Sequence, residues 1–278
     1  MIIRSYSKIN LSLRVLKKMK NGLHDIQSNV FLINLYDTIK IFKTKAKKDT
    51  VIFKGPFNKL VNRKNNSILK TLKILRLNKI INSSYKVIVN KKIPVFSGLG
   101  GGSGNAAFLA KFFIKKKKYS NLIDLLEKSV GSDLRLFFSK QSYQKELSKI
   151  TFYKKKYKFI VLLVYPKIKC STKKIYSKVK TYSIKNKVDY SKINSKSHFL
   201  KIIKKDKNDL QKVAITQHPL IQNVIDYIAT QKDCKISRMS GSGSVCFGIF
   251  KNSKSAGSAL ARIKRKFPNF WCIVTKTI

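Results

Sequence analysis

Between residues 8 and 15 apolar and polar side chains alternate, with Ile9, Leu11, Leu13 and Val15 in one phase and Lys8, Asn10, Ser12 and Arg14 in the other. A period of two predicts a strand with one buried face, and it places Lys8 and Asn10 on a common face. Asn21-Gly22 is a tight-turn signal, followed by strands predicted over 30–35 and 38–42. A helix is predicted over 67–77, a strand over 85–89, an Ala-rich helix over 106–113 and another helix over 122–130. Gly131 ends that last helix and leaves Asp133 just beyond it. Further on, 159–165 reads as a buried strand, and helical patterns follow at 198–203, 209–215 and 221–230. Strands over 245–250 and 270–275 flank a helix over 256–266. Strands mixed with helices, without strict βαβ alternation, indicate an α+β protein. The pattern is weakest over the Lys-rich stretch 140–158, so a boundary is expected near residue 150, giving domains 1–150 and 151–278.

Composition changes this picture little. A chain of 278 residues that is 43% hydrophobic can bury one large or two modest cores. The formal charge of +49 points at first to nucleic acid or an anionic membrane. However, 53 of the 61 basic residues are Lys and only eight are Arg, the side chain that reads bases and phosphates bidentately. A solvated Lys-rich surface is therefore expected, with salt-sensitive sticking to RNA but no specific nucleic-acid partner. The first residues lack a signal-type apolar segment and no apolar run approaches the ~20 residues of a membrane span, so a cytoplasmic chain with no membrane partner is expected. Cys170, Cys234, Cys246 and Cys272 form no Cys-x-x-Cys pair and lie in or beside strand-like segments, as buried reduced thiols would.

The candidate chemistry centres on Pro94-Val95-Phe96-Ser97-Gly98-Leu99-Gly100-Gly101-Gly102-Ser103-Gly104, which leads into the Ala-rich helix. Clustered glycines let several backbone N–H groups converge on one centre, and a helix N-terminus adds unpaired donors and partial positive charge. A polyphosphate fits such a loop. A Walker A loop would end in Gly-Lys-Ser/Thr, whereas this one ends in Ser103-Gly104-Asn105, and the dinucleotide fingerprint spaces its glycines differently.

The loop resembles the Gly-Leu-Gly-Gly-Gly-Ser-Ser-(Asp/Asn)-Ala-Ala motif of the GHMP kinase superfamily. Further matches follow in order along the chain. Ser7-Lys8-Ile9-Asn10-Leu11 is similar to the family's N-terminal Lys-Ile-Asn-Leu strand, and Asn21-Gly22-Leu23-His24 to its Asp-Gly-Tyr-His turn. Gly131-Ser132-Asp133-Leu134 resembles its Gly-Ala-Asp-Val segment. Pro166 to Tyr176 with Ser171-Thr172, Asn208-Asp209-Leu210 with Pro219, and Met239-Ser240-Gly241-Ser242-Gly243 resemble later landmarks. The resemblance implies a two-domain α+β fold, with an N-terminal half like ribosomal protein S5 domain 2 and a ferredoxin-like C-terminal half. It also implies ATP-dependent phosphorylation of the 2-hydroxyl of 4-diphosphocytidyl-2-C-methyl-D-erythritol, in isoprenoid precursor synthesis.

On that reading Lys8 and Asp133 are catalytic, with Asp133 taking the hydroxyl proton and Lys8 holding it ionised. Residues 94–104 bind ATP together with Mg2+, for which no ligand set stands out. Asn10, His24, Tyr176, Ser240, Gly241 and Ser242 bind the cytidine-diphosphate-linked substrate, His24 and Tyr176 at its cytosine. A monomer or homodimer is expected.

The chain also departs from the family pattern. Gly104 stands where a second Ser is usual, removing one hydroxyl from the phosphate or Mg2+ shell. Leu23 replaces the aromatic before the turn histidine, Leu134-Arg135 replaces Val-Pro, and a usual glycine-rich stretch gives way to the glycine-free 138–146. Two alternatives stay open: a GHMP kinase for a homoserine- or mevalonate-like alcohol, and a basic RNA-associated protein on a decayed kinase scaffold.

Overall fold

The first strand, β1 (Ile2–Lys18), runs well past its predicted ends, and β2 (His24–Thr44) joins the two strands expected separately. The computed structural model describes residues 1–114, 120–153 and 155–278. In the turn between β1 and β2, Gly22 takes φ +79° and donates to the Met19 carbonyl. Contacts divide the chain into two compact units that interleave along it. One holds Met1–Lys8, Leu35–Val95 and Gly100–Ser139, and the other Ile9–Asn34, Phe96–Leu99 and Lys140–Ile278.

In the first unit the C-terminal part of β2 pairs antiparallel with β4 (Ser84–Asn90), in the register Ile41↔Val87, and β4 pairs parallel with β3 (Thr50–Lys54). Helices α1 (Ser67–Leu77), α2 (Gly101–Ile114) and α3 (Ser120–Val130) pack on one another, and the Tyr85 ring of β4 meets Phe113 of α2 edge-on at 4.9 Å. Ile39, Ile41, Val87, Val89, Leu72, Leu109 and Phe137 are buried in this unit. α1 begins where its sequence says it should, because Asn66 Oδ1 accepts from the Leu69 N–H at 3.0 Å and caps the first turn.

α2 corrects an expectation: it starts at Gly101, five residues before the predicted onset. Glycine in a helix costs about 1 kcal/mol relative to Ala, which argues for a later start. Close packing outweighs that cost. A Cβ on Gly101 would lie 3.0 Å from Ile93 Cγ2, and one on Gly104 3.0 Å from both Phe137 Cε1 and the Tyr6 carbonyl.

In the second unit β7 (Ile160–Tyr165), β8 (Cys234–Met239), β9 (Cys246–Phe250) and β10 (Trp271–Lys276) form an antiparallel sheet in the order β10-β7-β9-β8. Before β8 come α4 (Thr172–Ser177), α5 (Lys196–Lys205), α6 (Asp209–Gln217) and α7 (Leu220–Ala229), while α8 (Ser253–Lys266) links β9 to β10. This is the ferredoxin-like order, with a core of Leu162, Val164, Ile221, Ile228, Ala259 and Ile263. The N-terminal part of β2 pairs with β5 (Gln141–Gln144), and β5 with β6 (Ile150–Phe152). β5 escaped the sequence pattern because three of its four buried residues are polar, and β6 because it buries nothing. Gln141, for example, exchanges two hydrogen bonds of 2.8 Å with the Tyr157 backbone. The glycine-free departure at 138–146 thus contains a buried strand.

β1 also differs from its prediction. Its polar phase is not solvated: Lys8, Asn10 and Ser12 are at most 3% exposed. Asn10 Nδ2 donates to Ser28 Oγ at 2.7 Å, Ser28 Oγ to the Ser12 carbonyl at 2.6 Å, and Asn29 Nδ2 to Ser12 Oγ at 2.8 Å. Alternation marks the strand correctly but does not tell water from a polar interior. All four cysteines are free; Cys170 and Cys246 are buried, and Cys234 and Cys272 half-buried. Among the described residues, no helix is long and apolar enough to cross a membrane.

Candidate active site

The glycine loop takes positive φ at every second residue: Phe96 at +56°, Gly98 at +78° and Gly100 at +68°. Such alternation turns successive N–H groups toward one side. Gly104 N–H donates to the Gly100 carbonyl at 2.8 Å and closes the first turn of α2, so the N–H groups of Gly101, Gly102 and Ser103 have no acceptor within the helix. These three donors and the helix dipole give this end of α2 a partial positive charge.

Within the first unit Lys8 Nζ lies 3.3 Å from Asp133 Oδ2, with the lysine 4% and the carboxylate 37% exposed. The loop approaches this pair closely, since a Cβ on Gly100 would lie 3.1 Å from Lys8 Cε and 2.7 Å from the Phe137 ring. Ser103 Oγ lies 3.7 Å from the corresponding point on Gly131, two residues before Asp133. α3 ends as the sequence predicts, with Gly131 at φ +145° and Asp133 opening a short 3-10 turn over Leu134–Phe138. Where Pro is usual, Arg135 donates through its N–H and its guanidinium to Glu127 and pairs with Asp124, which ties the Asp133 turn to α3.

Sequence reasoning missed Asp37. This fully buried carboxylate pairs with the buried Lys91 and accepts the N–H groups of Lys92 at 2.7 Å and Ile93 at 2.9 Å, just before Pro94. Lys91 Nζ in turn lies 3.2 Å from where a Gly101 Cβ would stand. The available signal was scarcity: only twelve acidic residues stand among 61 basic ones, so each is a candidate for a specific partner.

Within the second unit Ser240 is fully buried; its Oγ accepts the Asn10 N–H and donates to the Gly98 carbonyl, both at 3.2 Å. Val245 N–H donates to the Ser97 carbonyl at 3.1 Å. Asn208, also missed as a site residue, donates to the carbonyls of Met239 and Gly241 at 2.9 and 2.8 Å. Ser242 Oγ bonds Thr172 Oγ1 at 2.9 Å. The 240–243 turn is thereby fixed against the first half of the glycine loop, and Gly98 must be glycine because a Cβ would strike the Ser240 carbonyl.

His24 and Tyr176 also come together in this unit, with ring centroids 5.1 Å apart and a tilt of 35°. His24 is 8% exposed, and burial, aided by the charge of Lys18, moves its pKa below the ordinary 6.5. A neutral imidazole at neutral pH follows. Among the described residues no group of three or more His, Cys, Asp or Glu side chains gathers at a point.

Comparisons with known proteins agree with one another. The family model described as GHMP kinases C terminal matches residues 192–269. The chain is 40% identical over 282 residues, covering 99% of itself and 98% of the relative, to a Pelagibacter ubique (strain HTCC1062) protein named 4-diphosphocytidyl-2-C-methyl-D-erythritol kinase. It is 32% identical over 296 residues, covering 99% and 97%, to a protein of the same name from Thermodesulfovibrio yellowstonii. A crystal structure of 4-(cytidine 5'-diphospho)-2C-methyl-D-erythritol kinase superposes over the full length of both chains, with a TM-score of 0.76 at 20% identity.

Proposed function

This chain belongs to the 4-diphosphocytidyl-2-C-methyl-D-erythritol kinase family of GHMP kinases, and from that premise we propose that it phosphorylates the 2-hydroxyl of 4-diphosphocytidyl-2-C-methyl-D-erythritol with ATP. The relatives share this acceptor in their names, which favours it over a homoserine- or mevalonate-like alcohol and over an RNA-associated role. The single observation that carries the chemistry is the Lys8–Asp133 pair beside Gly100 at the start of α2.

In this reading the accessible Asp133 carboxylate takes the proton of the acceptor hydroxyl as its oxygen bonds to the γ-phosphorus. The bond from that phosphorus to the β–γ bridging oxygen breaks, and its electron pair leaves on ADP. Lys8, buried 3.3 Å from Asp133, holds the carboxylate in place and offsets charge on the transferring group. The N–H groups of Gly101, Gly102 and Ser103 hold phosphate oxygens, with 94–100 as the remainder of the ATP loop.

Mg2+ neutralises phosphate charge when bound. The Ser103 hydroxyl at the start of α2 would be the oxygen donor this chain adds to an ion bound with the nucleotide. His24 and Tyr176 recognise the cytosine, and Asn10, Ser240, Gly241 and Ser242 serve the rest of the acceptor. A cut near residue 150 would pass through β6, and the contact units instead change over between Ser139 and Lys140, with 9–34 and 96–99 joining the second unit. A division into an ATP side and a substrate side goes with this reading, the family match at 192–269 falling in the second. So does a cytoplasmic enzyme.

The test is ADP release from purified protein with ATP and Mg2+, offering the cytidine conjugate, homoserine and mevalonate separately, for wild type and Asp133→Ala. Turnover with the cytidine conjugate alone, falling about 10²- to 10⁴-fold in the variant, is expected. No turnover with any acceptor, or an undiminished Asp133→Ala rate, overturns the proposal.

A further inference from the structure

Leu23 precedes the turn histidine, where an aromatic residue is usual, and is 45% exposed. Its side chain offers an apolar contact but no flat π-face on which a pyrimidine can stack. A different residue supplies such a face nearby. The Tyr182 ring centroid lies 6.5 Å from that of His24 with a tilt of 39°, and Tyr182 is itself 45% exposed.

Tyr182 belongs to a stretch, 179–189, without helix or strand, yet the stretch is fastened along its length. Ser183 N–H donates to the Val15 carbonyl at 2.8 Å, and Arg14 Nη1 to the Ile184 carbonyl at 3.2 Å. Gln27 and Asn186 exchange two bonds: Asn186 N–H to Gln27 Oε1 at 2.7 Å, and Gln27 Nε2 to the Asn186 carbonyl at 3.2 Å. Three consecutive anchors on β1 and β2 thus begin at the residue after Tyr182. The ring at His24 is carried by a backbone that is tied down, so its entropy of ordering is largely met before any ligand arrives.

We propose that Tyr182 is a substrate-contact residue that supplies the second aromatic surface for the cytosine, the role Leu23 does not fill. The inference rests on the reading of His24 and Tyr176 as the cytosine site. It adds a residue from a segment that no sequence motif marks. Base–aromatic stacking governs acceptor affinity and leaves phosphoryl transfer untouched, so the signature is a selective change in KM.

The experiment measures kcat and separate KM values for ATP and 4-diphosphocytidyl-2-C-methyl-D-erythritol in wild type, Tyr176→Ala, Tyr182→Ala, Tyr182→Phe and Tyr182→Ala combined with Leu23→Tyr. Tyr182→Ala is expected to raise the acceptor KM about tenfold, with ATP KM and kcat within about twofold of wild type. Tyr182→Phe retains the wild-type acceptor KM, since the face and not the hydroxyl is used, and Leu23→Tyr restores part of the loss. An acceptor KM unchanged in Tyr182→Ala while Tyr176→Ala raises it overturns the role of Tyr182 and leaves the cytosine site standing. An equal rise in both KM values marks a structural defect and also overturns it. A wild type inert toward the cytidine conjugate removes the functional reading and this inference with it.

Discussion

Replacing Gly104 by Ser restores the residue usual at that position and separates two accounts of why it was lost. If the missing hydroxyl belonged to the phosphate shell, Gly104→Ser would tighten ATP binding. The packing points elsewhere. Gly104 is buried within α2, and a Cβ there stands 3.0 Å from Phe137 Cε1 and 3.0 Å from the Tyr6 carbonyl, with Phe137 Cδ1 at 3.3 Å. Each distance is several tenths of an ångström inside ordinary contact, and two of the three partners are atoms of a fully buried ring. Overpacking of this kind costs about 1–3 kcal/mol. The better helix propensity of Ser over Gly returns a few tenths of a kcal/mol. The net expectation is a loss of about 1–2 kcal/mol, a few degrees in Tm, with ATP KM within about twofold of wild type. Thermal unfolding and ATP-dependent ADP release measure the two quantities. Combining Gly104→Ser with Phe137→Leu removes the ring and should cost less than the sum of the single changes, a coupling that a double-mutant cycle reads. A Gly104→Ser protein with wild-type Tm and a severalfold lower ATP KM would refute the reasoning.

Two further predictions concern buried groups. Asp37→Asn keeps an acceptor for the Lys92 and Ile93 N–H groups but leaves the Lys91 ammonium buried without its counter-charge; urea denaturation should show a loss of about 3 kcal/mol or more, and ATP KM should rise more than acceptor KM. For His24, whose folded pKa lies below 6.5, the unfolded chain binds the additional proton as pH falls through 6.5. Its neutral form therefore favours folding above that pH, and the benefit is lost progressively below it. Acceptor KM should accordingly be flat above pH 6.5 and rise only at lower pH, with His24→Gln abolishing the low-pH rise. A rise with its midpoint above 6.5 would contradict the assigned shift.

How much of this could be read from the chain depended on whether local chemistry or tertiary packing decided each element. α1 was legible to its last residue because its amphipathic stripe and its Asn66 cap are both local. The end of α3 was legible because Gly131 meets a backbone need that few other residues satisfy. The onset of α2 was not, since propensity argues against a helix through three glycines and only the proximity of Ile93, Lys91, Phe137 and Tyr6 removes the room for side chains. β5 was hidden for the opposite reason. Gln141, Ser142 and Gln144 are buried polar groups, and hydropathy assigns such residues to the surface.

The candidate site divides along the same line. Lys8, Asp133 and the glycine loop carry their chemistry in residue type and order, so a motif recovers them. Asp37 and Tyr182 act through what they touch, and no spacing in the sequence joins Asp37 to Ile93 or Tyr182 to His24. Departures from a family motif are for that reason poor evidence of lost function by themselves. At Gly104 the space of a side chain is taken up by Phe137, at 135 an Arg ties the turn to α3, and beside Leu23 a tyrosine from a distant segment occupies the neighbourhood of the histidine. Each departure is matched by a contact that only the folded chain contains. Exchanging such a residue for the family's own, without its partner, is therefore expected to harm this protein more often than to improve it.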